Sequence, residues 1–573
     1  MDSPTELLQV SHFSLSFLSP KGNNTVVEDL SFSLQKGKTL GIVGESGSGK
    51  SVSMLSMMRL FNDKKVKYEG NICFCDNGET VDLLALSNSK MRHYRGNRIA
   101  MIFQEPMTSL NPSMRCGHQI TEVLSLHAHM SKQTAQQRAL ELLKEVMLPD
   151  VQKVFRAYPH EISGGQKQRV MIAMAMACNP DVLIADEPTT ALDVTVQKSI
   201  IDLMKNLQQK HGMSIIFITH DLGVVAQIAD EVLVMYKGKK VEQNDIKNIF
   251  SAPQHNYTKG LLACRVPLNT RWNKLPSIAD FMQENTTAAF VKEEISPEQW
   301  KSESEKLMQA TPLLQVKHLS KYYPLKKKLF APRTYYKGVD DVSFEVYEGE
   351  TLGLVGESGC GKTTLGRSLL RLIEPTCGQI IYQGVDICQL SESEMRQRRK
   401  DMQIIFQDPY SSLNPRFTIG NAIMEPMQIH RLYANDKQRK DKVMDLLAKV
   451  GLQEKHFYAY PHQFSGGQRQ RICIARALAL NPKFVICDES VSALDVSVQA
   501  QVLNLLNDLK KEFKLTYIFI SHDLSVVKYM SHRVMVMRNG KIQELNFSDD
   551  LYANPQTAYT KELIAAIPKI ASV

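Results

Sequence analysis

The sequence predicts an α/β fold with a mainly parallel sheet core, present twice in tandem. Short apolar runs, such as 182–185 and 214–219, alternate with longer helical patterns such as 197–207, which is typical of parallel strands joined by helices. The chain has 573 residues, which is long for a single domain. Three pairs of matching residues share one spacing (465 − 163 = 302): Ser163 and Ser465, Asp186 and Asp488, and His220 and His522.

The repeat divides the chain into three parts, which are a first domain at 1–265, a linker at 266–311 and a second domain at 312–573. The first domain carries extra residues around 71–88, and these predict a longer β-hairpin than in the second domain. Within the linker, residues 281–310 are polar and mostly acidic. This composition predicts a connecting segment that is partly helical.

Composition limits the classes of function that fit. The net charge of +9 is modest for a chain of this size and gives no argument for a nucleic-acid partner. No apolar run approaches the roughly 20 residues of a membrane-spanning helix, so any membrane role is expected to be peripheral. None of the ten cysteines forms a C-x-x-C pair, which favours reduced thiols over a zinc or iron–sulfur site.

Two glycine-rich segments match the pattern G-x-x-x-x-G-K-[ST], and each follows an apolar strand, at 39–43 and at 351–355. In that context the backbone amides of the loop point at a phosphate, the lysine reaches the β- and γ-phosphates, and the last hydroxyl binds Mg²⁺. One match is compatible with an ordinary glycine turn, but two in the same context favour two nucleotide sites. The predicted phosphate-binding residues are Gly44, Glu45, Ser46, Gly47, Ser48, Gly49, Lys50 and Ser51, and Gly356, Glu357, Ser358, Gly359, Cys360, Gly361, Lys362 and Thr363.

Two apolar strands end in a pair of acids, Asp186 with Glu187 and Asp488 with Glu489. Each strand ends at the edge of the sheet where the glycine-rich phosphate-binding loop, here called the P-loop, is expected to lie. The aspartate is then placed to hold the metal and its water shell, and the glutamate to orient the attacking water. A single acidic pair at a strand end is more often an exposed pair without a function. Because the pair occurs together with a P-loop in both halves, a catalytic role is favoured.

A Ser-Gly-Gly-Gln turn opens a helix upstream of each acidic pair, and with it the order of motifs in both halves resembles the ATP-binding cassette (ABC) ATPases. The resemblance implies that each domain has an antiparallel β subdomain and a helical subdomain besides its parallel sheet. It also implies two composite ATP sites, in which the turn of one domain faces the nucleotide held by the other. The turns are Ser163, Gly164, Gly165 and Gln166, and Ser465, Gly466, Gly467 and Gln468.

The same resemblance implies roles for further residues, with ATP and Mg²⁺ as the bound groups. Asp193 and Asp495 match the acid that links the two sites, and Phe17 and Tyr323 fall where an aromatic ring stacks on adenine. An aromatic residue in that strand is equally typical of the core. The implied catalytic residues are Glu187, Glu489, His220, His522, Gln104 and Gln407. The implied Mg²⁺-binding residues are Ser51, Gln104, Asp186, Thr363, Gln407 and Asp488.

The segments 103–112 and 406–415 resemble the corresponding region of dipeptide, oligopeptide and nickel importers, a peptide-type group that includes glutathione importers. The resemblance implies two integral membrane permease subunits and an extracytoplasmic substrate-binding protein as separate chains. It places this chain peripherally on the cytoplasmic face of the inner membrane. Residues 108–112 and 411–415 are then expected to form part of the surface that meets the permeases.

Two departures from the repeat are expected to affect the second site. Ser490 and Ser492 stand where the first half has Pro188 and Thr190, beside the catalytic glutamate. Because the glutamate itself is retained, both sites are expected to hydrolyse ATP, but the sequence does not predict equal rates. Cys360 replaces a serine inside the second P-loop. Its position near a helix N-terminus and a lysine predicts a lowered thiol pKa.

Two other functions stay open on the sequence alone. A soluble tandem ABC protein acting on ribosomes or DNA has the same nucleotide motifs, although the acidic linker and the lack of cysteine pairs disfavour it. An exporter ATPase also shares all of these motifs. The transported substrate and the direction of transport cannot be read from the residues.

Overall fold

The computed structural model describes residues 6–20, 22–76, 78–105, 109–190, 192–282, 293–325, 334–492 and 494–568. Each half contains a six-stranded sheet with five parallel strands and one antiparallel edge strand. A four-stranded antiparallel sheet packs against one face of it, and helices cover the other face. The predicted α/β fold, with its antiparallel and helical subdomains in each half, is confirmed.

In the first half the antiparallel sheet has the order β2-β1-β4-β5, and the core sheet has the order β10-β9-β3-β8-β7-β6. The strands are β1 (Glu6–Phe17), β2 (Asn24–Gln35), β3 (Thr39–Val43), β4 (Val66–Asp76), β5 (Glu79–Asp82), β6 (Ile99–Ile102), β7 (Val182–Asp186), β8 (Ser214–Thr219), β9 (Glu231–Tyr236) and β10 (Lys239–Asp245). The helices are α1 (Lys50–Met57), α2 (Asn88–Tyr94), α3 (Cys116–His127), α4 (Lys132–Glu145), α5 (Val151–Arg156), α6 (Gly164–Ala175), α7 (Val194–His211), α8 (Leu222–Ile228), α9 (Ile246–Ser251) and α10 (Asn256–Ala263).

The connecting segment contains short elements, which are β11 (Arg271–Trp272), α11 (Ala279–Met282), β12 (Glu294–Ile295) and α12 (Pro297–Leu307). Strands β11 and β12 pair with each other. Helix α12 begins at a proline, and the preceding Ser296 caps it. The expectation of partial helix in this acidic segment is therefore confirmed.

In the second half the orders are β14-β13-β16-β17 and β18-β19-β20-β15-β21-β22. The strands are β13 (Pro312–Pro324), β14 (Tyr335–Tyr347), β15 (Thr351–Val355), β16 (Cys377–Tyr382), β17 (Val385–Asp386), β18 (Met402–Ile405), β19 (Phe484–Asp488), β20 (Thr516–Ile520), β21 (Arg533–Arg538) and β22 (Lys541–Phe547). The helices are α13 (Lys362–Leu369), α14 (Glu392–Arg398), α15 (Ile419–Ile429), α16 (Asp436–Lys449), α17 (Gly466–Leu478), α18 (Val496–Phe513), α19 (Leu524–Met530), α20 (Ser548–Ala553) and α21 (Ala558–Ala565).

The core strands are apolar without interruption because both faces of the sheet are buried. Along β7 the side chains alternate between two cores. Val182 and Ile184 pack between the two sheets, whereas Leu183 and Ala185 pack under the helices. The two-residue period of a strand thus distributes one apolar run over both faces and leaves the acids at its carboxyl end beside the P-loop.

The hairpin β4–β5 is longer than its counterpart β16–β17. Its strands have 11 and 4 residues, against 6 and 2 in the second half. The extra residues predicted around 71–88 therefore extend this hairpin. Among the helices of the described residues, none is both long and apolar enough to cross a membrane.

Candidate functional site

Each P-loop wraps around the ammonium of its own lysine. Lys50 Nζ donates to the carbonyl oxygens of Gly44 at 2.7 Å and Glu45 at 2.9 Å. In the second half Lys362 Nζ donates to the equivalent oxygens of Gly356 and Glu357, at 2.7 and 3.0 Å. Both lysines are buried. The loop thus holds a fixed positive charge at the N-terminus of α1 or α13, where a phosphate binds most favourably.

A cluster of predicted residues forms at the carboxyl ends of neighbouring strands in the first half. Ser51 Oγ donates to Asp186 Oδ1 at 2.8 Å. Gln104 Nε2 donates to one carboxylate oxygen of Glu187 at 2.9 Å, and His220 Nδ1 lies 3.1 Å from the other. Gln104, Glu187 and His220 follow β6, β7 and β8, which are adjacent in the sheet. The strand order is therefore what brings them together.

The second half repeats this cluster. Thr363 Oγ1 donates to Asp488 Oδ1 at 3.0 Å, and Gln407 Nε2 donates to Glu489 Oε2 at 2.7 Å. His522 Nδ1 lies 3.5 Å from the same Glu489 oxygen, which is farther than the matching contact in the first half.

Both glutamates have a backbone conformation that costs energy. Their φ angles are 46° for Glu187 and 49° for Glu489, in the left-handed region that few residues other than glycine adopt. Each backbone N–H is held by the neighbouring strand, at Ile218 O and Ile520 O, both at 2.9 Å. Such strain persists where the surrounding structure imposes it, and it is concentrated at functional sites.

The environment separates the pKa values of the two adjacent acids in the first half. Burial raises the pKa of Asp186 to about 6, against the hydrogen bond from Ser51. Burial opposes the charge of Glu187 as well, but the hydrogen bond and charge of His220, with the hydroxyl of Thr190, lower its pKa to about 2. In the second half His522 likewise outweighs burial and lowers the pKa of Glu489. Both glutamates are therefore ionised at neutral pH.

The two halves present a carboxylate to each other's P-loop. Ser46 N donates to Asp495 Oδ2 at 3.0 Å, and Ser358 N donates to Asp193 Oδ2 at 3.2 Å. Ser497 Oγ also donates to Glu45 across the same boundary. The halves are therefore arranged head to tail, with each P-loop facing the segment after the acidic strand of the other half.

The Ser-Gly-Gly turns lie next to these cross-boundary segments. Ser163 caps α6, with its hydroxyl accepting from Gln166 N, and Ser465 caps α17 in the same way. An added Cβ at Gly165 would meet Val196 Cγ1 at 2.8 Å, and one at Gly467 would meet Val498 at 2.3 Å. Glycine therefore allows the turn to pack closely against the helix that follows Asp193 or Asp495.

The predicted adenine-stacking aromatics have different neighbours in the two halves. Phe17 packs edge-on against Phe61, with ring centroids 5.4 Å apart. Tyr323 stacks on Tyr336, whose hydroxyl donates to Gly359 O of the P-loop at 2.7 Å. The sequence did not indicate Tyr336, because its contact depends on the register of β13 against β14.

Two further tyrosines contact the P-loops and were not assigned to the site from the sequence. Tyr257 Oη accepts from Glu45 N at 3.0 Å, and Tyr559 Oη accepts from Glu357 N at 3.1 Å. Burial raises the pKa of both hydroxyls, so they stay protonated. The tyrosines lie in the segments Asn-Tyr-Thr and Ala-Tyr-Thr. In the sequence these segments show a similarity to peptide importers, but they do not indicate a contact with the P-loop.

The expectation of a lowered pKa at Cys360 is wrong. The thiol is buried, and burial raises its pKa despite the nearby charge of Lys362. Lys362 Nζ lies 4.0 Å from the sulfur and directs its shorter contacts to carbonyl oxygens of the loop. Desolvation therefore outweighs the lysine and the helix N-terminus.

The two glutamates differ in their third hydrogen bond. Thr190 Oγ1 donates to the Glu187 carboxylate at 2.9 Å. The matching residue of the second half, Ser492, donates instead to the backbone oxygen of Glu489 at 2.8 Å. Among the described residues, a hydroxyl thus donates to the carboxylate of Glu187 and none donates to that of Glu489.

We expect Thr190→Val to lower ATP turnover about threefold to tenfold, because one hydrogen bond to a charged group that fixes the base is lost. The matched change, Ser492→Ala, is expected to alter turnover by less than about twofold, since its hydroxyl does not touch the carboxylate. Phosphate release at saturating ATP measures both. Equal losses in the two variants would contradict the inequality of the sites.

Together, the paired P-loops, the two carboxylate clusters and the reciprocal aspartate contacts define a class of protein, a tandem pair of nucleoside-triphosphatase domains that act on each other. The chain belongs to the ABC transporter family, whose family model matches residues 27–190 and 339–492. A second model, the C-terminal region of oligopeptide and dipeptide transporters, matches residues 241–289. The chain is therefore an ATP-binding and ATP-hydrolysing subunit of a peptide-type ABC transporter. Because the second match crosses residue 265, the boundary between first domain and linker stays a prediction.

Curated relatives resemble the chain along nearly its whole length. The glutathione import ATP-binding protein GsiA of Escherichia coli O6:H1 is 48% identical over 571 residues, which cover 98% of this chain and 90% of that protein. The protein of the same name from Shigella sonnei is 48% identical over 570 residues, with 98% and 89% covered. A solved bacterial ABC transporter cassette, MJ0796, is 27% identical and has a TM-score of 0.37, covering 41% of this chain and 98% of its own. The two curated relatives support the transporter interpretation and give no support to action on ribosomes or DNA, or to export.

Proposed function

We propose that the chain hydrolyses ATP at two composite sites and thereby powers the import of glutathione or another short peptide. The observation that carries the two-site proposal is the reciprocal contact between each P-loop and an aspartate of the other half. The cargo is proposed because relatives 48% identical to this chain are named for glutathione import.

Each proposed site combines a P-loop and carboxylate cluster from one half with the Ser-Gly-Gly turn of the other. Site one consists of Lys50, Ser51, Gln104, Asp186, Glu187 and His220 with Ser465, Gly466 and Gly467. Site two consists of Lys362, Thr363, Gln407, Asp488, Glu489 and His522 with Ser163, Gly164 and Gly165. Phe17 and Tyr323 are proposed to contact the adenine.

In the proposed reaction the P-loop amides and the lysine bind the phosphates. The ionised glutamate orients a water whose oxygen attacks the γ-phosphorus, and the bond to the bridging oxygen breaks to give ADP and inorganic phosphate. His220 and Gln104 hold the Glu187 carboxylate from both of its oxygens. At Glu489, His522 and Gln407 both contact one carboxylate oxygen, Oε2.

The residues present also fit a magnesium ion. Ser51, Asp186 and Gln104 offer hydroxyl, carboxylate and amide oxygens, as Thr363, Asp488 and Gln407 do, and Mg²⁺ prefers oxygen ligands with few protein carboxylates. When bound there with ATP, Mg²⁺ would neutralise part of the negative charge of the phosphates.

The partners we propose are two integral membrane permease subunits and an extracytoplasmic binding protein, with this chain on the cytoplasmic face of the inner membrane. Exposed aromatic side chains support a docking surface near the glutamine of each cluster. Phe103 is 41% exposed and Tyr410 57% exposed. Of the two segments expected to meet the permeases, 411–415 is described, whereas residue 108 of the first lies outside the described residues.

The test uses the Glu187→Gln/Glu489→Gln chain, purified with ATP from gently solubilised cells. Two integral membrane proteins are expected to copurify. In cells that lack this protein, the wild-type chain is expected to restore uptake of radiolabelled glutathione. The double variant should restore no uptake. Recovery of ribosomal proteins or DNA without a membrane protein would reject the transporter. Normal glutathione uptake in the deficient cells, with loss of another peptide's uptake, would reject only the cargo.

A further inference from the structure

A cleft lies between the connecting segment and the second half, away from both P-loops. The connecting segment forms one wall with β11, β12 and α12, and the ends of α18 and α19 form the other. Its volume is about 450 Å³, within the range of small-molecule sites. We define this linker cleft by six of its lining residues: Arg271, Trp272, Trp300, Lys510, Lys511 and Lys514.

The connecting segment is firmly attached at this place, so the cleft is part of the fold. Arg271 is buried, and its guanidinium contacts Asp549 at 3.0 Å and lies over the ring of Trp300 at 4.2 Å. The Trp300 indole stacks on His532 with centroids 4.6 Å apart and donates to Ser531 O at 3.2 Å. These contacts fix one aromatic wall and one cation of the cleft.

The lining carries more positive than negative charge. Four cationic side chains line the cleft, against the carboxylates of Glu303 and Glu348. Lys511 Nζ donates to Asn273 Oδ1 at 3.2 Å. Among the described residues Lys510 has neither a hydrogen bond from its ammonium nor an ion pair within 4.0 Å. Burial lowers the pKa of Lys510 to about 7, against the nearby charges of Glu303 and Glu350.

The repeat within the chain supplies an internal comparison for this lysine. The equivalent position in the first half, at the same spacing (510 − 302 = 208), is Gln208. Its amide donates to Gly37 O at 3.1 Å and to Thr39 Oγ1 at 2.9 Å. In the second half the matching Thr351 Oγ1 is buried without a hydrogen-bond partner among the described residues. The residue at this position is thus hydrogen-bonded within the fold in the first half, whereas in the second half it is a lysine that lines a cleft and whose ammonium has no hydrogen-bond partner among the described residues.

Two further lysines of the cleft also have no cationic counterpart in the first half. At the same spacing, Lys511 corresponds to Gln209 and Lys514 to Gly212. The cationic lining therefore belongs to the second half and its attached linker, and not to the features that both halves share for nucleotide binding.

We propose that the linker cleft binds a small organic anion, a carboxylate or phosphate monoester with an aromatic or apolar body. The Lys510 ammonium meets the anionic group, with Lys511 and Lys514 beside it, and the indole rings of Trp272 and Trp300 contact the body. An ammonium–anion contact of this kind is charge-assisted and partly desolvated, and it is therefore strong. The site is separate from the ATP sites and does not depend on the identity of the cargo.

The chain itself provides the readout, because its only two tryptophans both line the cleft. The full-length protein is titrated with phenyl phosphate, benzoate and benzyl alcohol while tryptophan emission is recorded. A saturable change is expected with the two anions and none with uncharged benzyl alcohol at the same concentrations. The tighter of the two anions identifies the preferred head group.

The decisive variant is Lys510→Gln, which installs the residue that the first half already has. We expect the affinity for the tighter anion to fall about tenfold, while ATP turnover without probe is unchanged. Lys198→Gln, an exposed position on the corresponding helix α7, is the matched control and should bind like the wild type. If Lys510→Gln lowers the melting temperature, Lys514→Gln replaces it as the test.

Three outcomes would overturn the proposal: equal binding of benzyl alcohol, unchanged anion affinity in the lysine variant, or no saturable change with either anion.

Discussion

Replacing both Glu187 and Glu489 by glutamine is expected to lower ATP turnover at least about 100-fold and to leave ATP affinity within about threefold of the wild-type value. Glu187 is buried and Glu489 partly buried; each directly follows a core strand and is held by a glutamine and a histidine. The environment of Glu187 lowers its pKa to about 2, so it is ionised and able to orient a water. Glutamine has the same shape but cannot take up the proton.

Phosphate release gives the turnover of this double variant, and equilibrium binding of a fluorescent ATP analogue gives the affinity. Glu305→Gln, on the exposed side of α12, is the control for loss of a negative charge. Of the two single variants, Glu187→Gln is expected to lose more activity, because Thr190 positions only that carboxylate. Turnover above about one third of wild type in the double variant would remove both residues from the role of water-orienting base.

The P-loop and the acidic pair of each half were predictable because their determinants are local, whereas Gln104 and His220 were implied by the resemblance to ABC ATPases. Lys50 and Glu187 each follow a short apolar strand, and parallel strands deliver their carboxyl ends to one edge of the sheet. The strand order then places Gln104, Glu187 and His220 just beyond the carboxyl ends of adjacent strands. The second half repeats the same motifs in the same order, so each assignment has a counterpart within the same chain.

The features that sequence reasoning missed depend on contacts between distant segments. Tyr257 meets Glu45 across 212 positions, and Arg271 meets Asp549 across 278. Neither pairing leaves a pattern in the neighbouring residues. The prediction of a lowered pKa at Cys360 failed for a different reason. The nearby lysine is visible in the sequence, whereas the desolvation of the thiol is not.

The position of the linker was also not predictable from its sequence. Its acidic composition is typical of a solvated spacer, and several of its charges are exposed. The residues that attach it are few, and Leu275 shows how they act: its backbone N–H donates to Asn504 Oδ1 at 2.9 Å, and its side chain is buried. A small number of apolar and aromatic anchors therefore decides the position of a segment whose average composition suggests otherwise.

Gly356→Ala is expected to remove nucleotide binding at the second site, with at least about a 100-fold loss of affinity there. An ideal Cβ at this position would lie 2.2 Å from Met537 O and 2.8 Å from Cys360 Sγ, and the backbone has a φ of 149°. The carbonyl belongs to β21 and cannot yield without moving the core sheet. The P-loop must therefore shift, and its backbone amides no longer point at the phosphate.

The measurement is the number of ATP molecules bound per chain in the Glu187→Gln/Glu489→Gln background, where nucleotide is retained. We expect two for the parent and one for Gly356→Ala. Gly44→Ala, whose Cβ would lie 2.2 Å from Met235 O, should likewise leave one, and the combined change should leave none. The control is Gly384→Ala in the β16–β17 turn, which has a φ of 78° and no atom within 4 Å of its added Cβ.

This control separates backbone strain from collision. An alanine with positive φ costs about 1–3 kcal/mol at either position, so both variants should have a lower melting temperature. Only the P-loop variant meets a backbone carbonyl, and only it should lose a bound nucleotide. Two ATP molecules bound with unchanged affinity by Gly356→Ala would show that this glycine does not shape the phosphate cradle. Equal losses in Gly384→Ala would attribute the effect to general destabilisation.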